Sequence, residues 1–202
     1  MDEQDEVLSF WIEPKPATED ELAARGKIWF MGGEQIDQAI NEKFRGLVEA
    51  ATHGKLDGWA ATARGRLALI ILLDQFTRNI YRGSPEAFAF DPKAALLSAT
   101  GYDTNLFASF DAIDHMFASL PLSHAEDLEL QKSAVRNGVL CALHAKPEWK
   151  KFIRGGVDFS RKHLDVIARF GRFPHRNAVL GRESTPEEKE YLEYLREAGQ
   201  WL

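Results

Sequence analysis

Leu67-Ala68-Leu69-Ile70-Ile71-Leu72-Leu73-Asp74-Gln75-Phe76-Thr77-Arg78-Asn79-Ile80-Tyr81-Arg82 decides the fold. Its first seven residues are apolar all round a helical wheel, the mark of a helix buried on every side. A buried parallel strand can carry a similar run. Here, however, the helical spacing continues through Phe76 and Ile80, and no other segment alternates as strands do. The spacing predicts a central helix over 62–81 and an all-α fold around it.

Towards the N-terminus, Ile36, Ile40, Phe44, Leu47 and Val48 form a one-sided stripe over 34–52. Thr18 with Glu21 reads as a capping box for a helix over 18–30, broken by Gly32-Gly33. A short acidic helix over 2–12 is stopped by Pro14 and Pro16. In the other direction, Ser84-Pro85-Glu86 and Asp91-Pro92-Lys93 each start a short helix, the second closed by Gly101. Phe110, Ile113, Met116 and Phe117 line a helix over 109–120 that Pro121 terminates, and Ser123-His124-Ala125-Glu126 reads as the capping box of a helix to 145. Pro147 opens a helix to 170 in which Gly155-Gly156 marks a kink or a close neighbour, with Gly171 as a left-handed C-cap. Thr185-Pro186-Glu187-Glu188 begins a terminal helix. Roughly ten helices in a single domain, 1–202, result.

The 202 residues are 45% hydrophobic and 28% charged, ample for a core and too apolar for a disordered chain. A net charge of −6 argues against general nucleic-acid binding, which needs a basic surface to neutralise phosphates. The five tryptophans are scattered and build no stacking platform for bases. No apolar run approaches the roughly 20 residues that span a bilayer. The acidic opening, Met1 to Glu6, is unlike a secretory signal, and the one cysteine, Cys141, suits a reducing compartment, so a cytoplasmic location is expected.

Chemistry concentrates in two places. Asp74, Arg78 and Arg82 stand at i, i+4 and i+8 along one helical ridge, with Gln75 and Asn79 on a second ridge beside it. The residues 161–182 hold six basic side chains against one carboxylate, Asp165, and include the compact turn Gly171-Arg172-Phe173-Pro174-His175-Arg176-Asn177. Main-chain N–H groups at such a turn, flanked by guanidiniums, suit a phosphate or carboxylate. The alternatives are a satisfied structural network around Asp74, and arginines that stitch the turn to helix ends or to the acidic N-terminal stretch. His124 and Asp127 share a helical face, but the ligand spacing of a metal site is absent, so no metal is expected. No motif names a cofactor or a reaction.

The stretches Leu69 to Gly83, Gly171 to Asn177 and Leu180-Gly181-Arg182-Glu183-Ser184-Thr185-Pro186-Glu187-Glu188 resemble the signature blocks of the bacterial family called domain of unknown function 924. The similarity runs from Val7-Leu8-Ser9-Phe10-Trp11 onward. A third block, usually Pro followed shortly by His-Ser-Glu-Asp, is matched by Pro121-Leu122-Ser123-His124-Ala125-Glu126-Asp127, with Ala125 in place of the serine. Any role of that hydroxyl does not carry over. The resemblance implies antiparallel helix pairs stacked as a tetratricopeptide-like, right-handed array, and it implies no activity.

Two functions fit these residues as expectations. In the first, a small anionic ligand sits on Arg78, Arg82, Arg172 and Arg176, with His175 as acid or base, and Asp74, Gln75, Asn79, His124, Asp127 and Asn177 lining the site. It requires Arg78 and Arg176 to lie within about 15 Å, the reach of one pocket. In the second, a concave helical groove takes a protein partner or a second copy of the chain, and the motifs are structural.

Overall fold

A computed structural model describes residues 2–199. Ten α-helices occur among them: α1 (Glu3–Trp11), α2 (Glu19–Met31), α3 (Glu34–Thr52), α4 (Ala63–Ile70), α5 (Thr77–Ile80), α6 (Asp91–Asp103), α7 (Ala112–His124), α8 (Leu128–His144), α9 (Pro147–Phe170) and α10 (Pro186–Glu197). No β-strand occurs among the described residues. The fold is all-α. A π-helical segment, Ile71–Phe76, joins α4 to α5 in one rod.

Leu67 to Leu73 are each at most 2% exposed, so the all-apolar stretch lies at the centre. Helices α1, α3, α6 and α7 pack around the rod it forms. Thr62 starts α4 by accepting from the Gly65 N–H at 3.1 Å. The stripe of α3 is buried at Ile40, Phe44 and Val48, where Phe44 meets the Phe76 ring at 5.0 Å. Helices α7, α8 and α9 are joined by connections too short for anything but antiparallel packing, and each lies against the next. Helix α2 closes against α9 across the chain: the Gly26 Cα approaches the Phe152 ring so closely that a Cβ there would lie 2.5 Å from it. Two indoles fasten this N-terminal segment, Trp29 Nε1 donating to the Trp11 carbonyl at 2.8 Å and Trp149 Nε1 to the Pro16 carbonyl at 3.0 Å.

Most caps fall where the sequence puts them, including the full capping box of Thr185 and Glu188 and the left-handed Gly171 at φ 69°. The structure departs from the sequence pattern at four helix ends. At the start of α6, Asp91 is not the cap expected before Pro92: Phe90 is the N-cap and no side chain caps the helix, the Asp91 carboxylate being turned to Arg78 and Arg176. Pro121 does not end α7, which runs one turn further to His124, because burial of Pro121 and Leu122 and the contacts made by Ser123 and His124 outweigh the missing N–H. The capping box expected at Ser123 and Glu126 does not form; Asp127 caps α8, accepting from the Glu129 and Leu130 N–H groups at 2.9 Å. Nor does Gly101 close α6, which continues to Asp103; a Cβ at 101 would lie 2.3 Å from the Phe107 ring, so close packing explains that glycine. Helix α9 runs through Gly155 and Gly156, and a Cβ at either would meet nothing within 4 Å, so no close neighbour explains them.

Candidate functional site

The π-helical segment sets the first half of the site. Such a turn shifts the side chains after it relative to a regular α-helix and often marks functional positions. Asp74 is fully buried; its carboxylate accepts from Gln75 Nε2 at 2.6 Å and His124 Nδ1 at 2.7 Å and pairs with Arg78 Nη1 at 3.3 Å, which donates to the Asp74 main-chain carbonyl at 2.7 Å. Burial opposes its charge, but His124 and Arg78 prevail and hold the carboxyl well below the usual range. Since an ionised carboxylate only accepts, the His124 proton sits on Nδ1, and Nε2 makes no hydrogen bond with the described residues. On the second ridge Asn79 Nδ2 donates to the Gln75 carbonyl at 2.8 Å. Arg82 reaches outward to Asp37, with Nε at 2.7 Å and Nη2 at 2.8 Å.

The turn after α9 sets the second half. Phe173 is buried, and its N–H donates to Glu126 Oε1 at 2.7 Å. The anion expected at this turn is therefore one of the chain's own carboxylates. Arg182 grips the same Glu126 at 2.6 and 2.9 Å. Arg172 grips Glu188 at 2.7 and 2.9 Å, and Asn177 Nδ2 donates to Glu188 as well, at 3.1 Å. These bonds, Arg172 foremost, pull the buried Glu188 carboxyl down to about 2. The basic stretch is thus answered by Glu126, Asp158, Glu188 and Asp91, while Asp5 and Glu13 of the acidic N-terminal stretch pair with Arg64.

Asp91 joins the halves. Its Oδ2 accepts from Arg78 Nη2 at 2.8 Å and from Arg176 Nη1 at 3.0 Å, so both guanidiniums meet at one oxygen. Arg176 lies between the Phe173 and Phe88 rings, 4.4 and 4.7 Å from their centroids. It is 6% exposed and makes only that one side-chain hydrogen bond, leaving Nε buried without a partner. Burial, the largest influence on it, lowers its pKa to about 10.

Around these groups opens a cavity of about 1050 Å³. Gln75, Arg78, Asn79, Arg82, His124, His175 and Arg176 line it, so the two motifs converge on one space. Asp74 stands behind His124, and Arg172 and Asn177 serve the Glu188 network outside the lining. Asp127 is committed to the α8 cap. His175 is exposed at the rim, its pKa lowered by packing and by Arg176. Among the described residues no group of three or more His, Cys, Asp or Glu side chains is arranged to hold a metal ion, and no helix is long and apolar enough to cross a membrane.

Three participants have roles that the sequence does not announce. Asp91 before Pro92 reads as a cap, and nothing in a linear pattern announces that it bridges Arg78 and Arg176. Glu126 reads as a capping-box acid. His163, at the same polar end of the cavity, donates from Nδ1 to the Ser123 carbonyl at 2.8 Å and leaves Nε2 buried without a partner. Its spacing of four from Phe159 and three from Val166, on one face of α9, is the one available signal.

Burial, helped by neighbouring His124 and Arg176, pushes the His163 pKa down to about 3. The unfolded chain then binds the proton first, so stability falls as pH drops through the ordinary histidine range. Between pH 6.5 and 5 this one residue is expected to cost about 2 kcal/mol. Urea unfolding of His163→Asn, whose amide can still donate to Ser123, should lack that part of the loss. Equal losses in the two proteins would refute the assignment.

Residues 7–195 match the family described as bacterial protein of unknown function (DUF924). Among solved structures the chain is similar to a protein of unknown function from Agrobacterium tumefaciens, with 34% identity and a TM-score of 0.77 over 95% of this chain and 97% of that one. No curated protein matches. With that match covering almost its whole length, the chain belongs to the DUF924 family.

Proposed function

We propose that the protein binds a small organic anion in the cavity, its acidic group on Arg176 with His124 and His175 beside it. One observation carries this reading: a guanidinium only 6% exposed beside a cavity, with a single protein hydrogen bond and a buried Nε that has none. A guanidinium has five N–H donors, and leaving buried donors without acceptors costs about 1–3 kcal/mol or more. An anion in the cavity supplies acceptors to the N–H groups that the terminal nitrogens of Arg176 do not spend on Asp91. Arg78, Arg82 and Arg172 are weaker seats, because each spends two or more N–H groups on the chain's own oxygens, where Arg176 spends one. Convergence of both motifs on one partly apolar space favours a small ligand over a partner groove.

A thermal-shift screen against carboxylates and phosphate esters tests this. A ligand at a hundred times its Kd adds about 2.7 kcal/mol, a rise of roughly 5–11 °C for a chain of this length. Arg176→Gln is expected to abolish the rise while remaining folded, since Asp91 keeps Arg78 as a partner. A ligand whose shift survives Arg176→Gln, or no shift from either class, would overturn the reading.

A further inference from the structure

The cavity is much longer than an acidic head group needs. Glu148, Phe152, Gly156, Phe159 and His163 of α9 all line it at intervals of three and four residues, hence along one helix face. From Phe152 to His163 that face runs about 16 Å at the helical rise. Its chemistry changes along the way. At the His163 end stand Arg176, His124 and Phe159, and in the other direction Leu22, Trp29, Phe30 and Phe152 line it, with the charged Glu19, Asp20, Glu148 and Lys151 of the same two helices beside them. Between the ends the wall carries Gly155 and Gly156, where a Cβ would meet nothing within 4 Å. Two glycines in mid-helix cost about 1 kcal/mol each relative to alanine, and no close neighbour accounts for them. Their effect is to leave a trough open along the face.

We infer that the ligand is amphipathic: an unbranched aliphatic chain ending in a carboxylate or phosphate, its head on Arg176 and its chain in the trough over Gly155 and Gly156 towards Phe152 and Trp29. This deepens the reading above and rests on it for the head group. Apolar burial supplies most of the affinity and the single under-bonded guanidinium fixes the direction of entry. A polar metabolite of the same volume would leave the aromatic and aliphatic side chains of the lining unmatched.

The experiment is calorimetric titration with butyrate, decanoate, decyl phosphate and decanol, on the native chain and on Gly156→Leu. Decanoate or decyl phosphate is expected to bind more than about tenfold more tightly than butyrate, since each buried methylene contributes several-fold. Gly156→Leu should erase that gain, with a melting temperature equal to or above the native one, because a leucine suits the helix interior better than glycine. The preferred head group separates carboxylate from phosphate. Equal affinity for butyrate and decanoate would sink the chain-binding inference and leave the anion seat standing. Decanol binding as well as decanoate would instead sink the anion seat, and no binding of any probe would sink both. Chain-length discrimination that persists in Gly156→Leu would also count against the trough.

Discussion

Asp74→Ala is expected to lower the free energy of unfolding by about 3–5 kcal/mol, the usual cost of removing one partner from a buried ionic cluster. For a chain of this size that is a fall of roughly 6–20 °C in melting temperature. The groups left unpaired set the magnitude. His124 Nδ1 and Gln75 Nε2 lose their buried acceptor, and Arg78 keeps only the residue 74 main-chain carbonyl and Asp91. Asp74→Asn, which retains an oxygen for one of the three groups, should cost less than the alanine variant. The coupling is also testable. In a double-mutant cycle with His124→Ala, the combined loss should fall short of the sum of the single losses, since both changes break the same bond. A loss below about 1 kcal/mol for Asp74→Ala would mean that the cluster is solvated in solution.

Asp91→Ala should be comparably destabilising, about 3–5 kcal/mol by the same reasoning, and for a sharper reason. One carboxylate oxygen serves two guanidiniums, so its loss leaves Arg176 with no charged partner and Arg78 with Asp74 alone. Arg176→Gln should cost less than Asp91→Ala, because it leaves Asp91 with Arg78. Denaturant unfolding of the two variants side by side measures the order. The reverse order would show that packing of Arg176 between Phe88 and Phe173, and not its charge, is the larger contribution.

Periodicity made the fold legible because helices record their buried faces locally. The run Leu67 to Leu73 marked the centre of the molecule, and the caps at Thr18, Gly171 and Thr185 marked ends that the structure keeps. Errors fell where tertiary contacts override local rules. Pro121 is held within α7 by the burial of Leu122 and the bonds of Ser123 and His124, and Glu126 leaves its expected capping role for the Phe173 N–H and Arg182. For the site, residue types on a ridge were enough to nominate Asp74, Arg78 and Arg82, and the basic turn was enough to nominate Arg176. Which arginine has donors left over depends on pairings between residues far apart in the chain, such as Asp91 with Arg176, 85 residues away, and no spacing encodes those.

The indole of Trp149 holds the carbonyl of Pro16 across 133 positions of sequence. That bond helps fasten α2 to α9, and these two helices supply facing walls of the cavity. Closing so long a loop is entropically unfavourable until many other contacts are in place, so walls drawn from opposite ends of the chain meet late in folding. A nascent or truncated chain that has formed the central rod has a core but no binding site. On the function proposed above, ligand capture is therefore reserved for finished molecules.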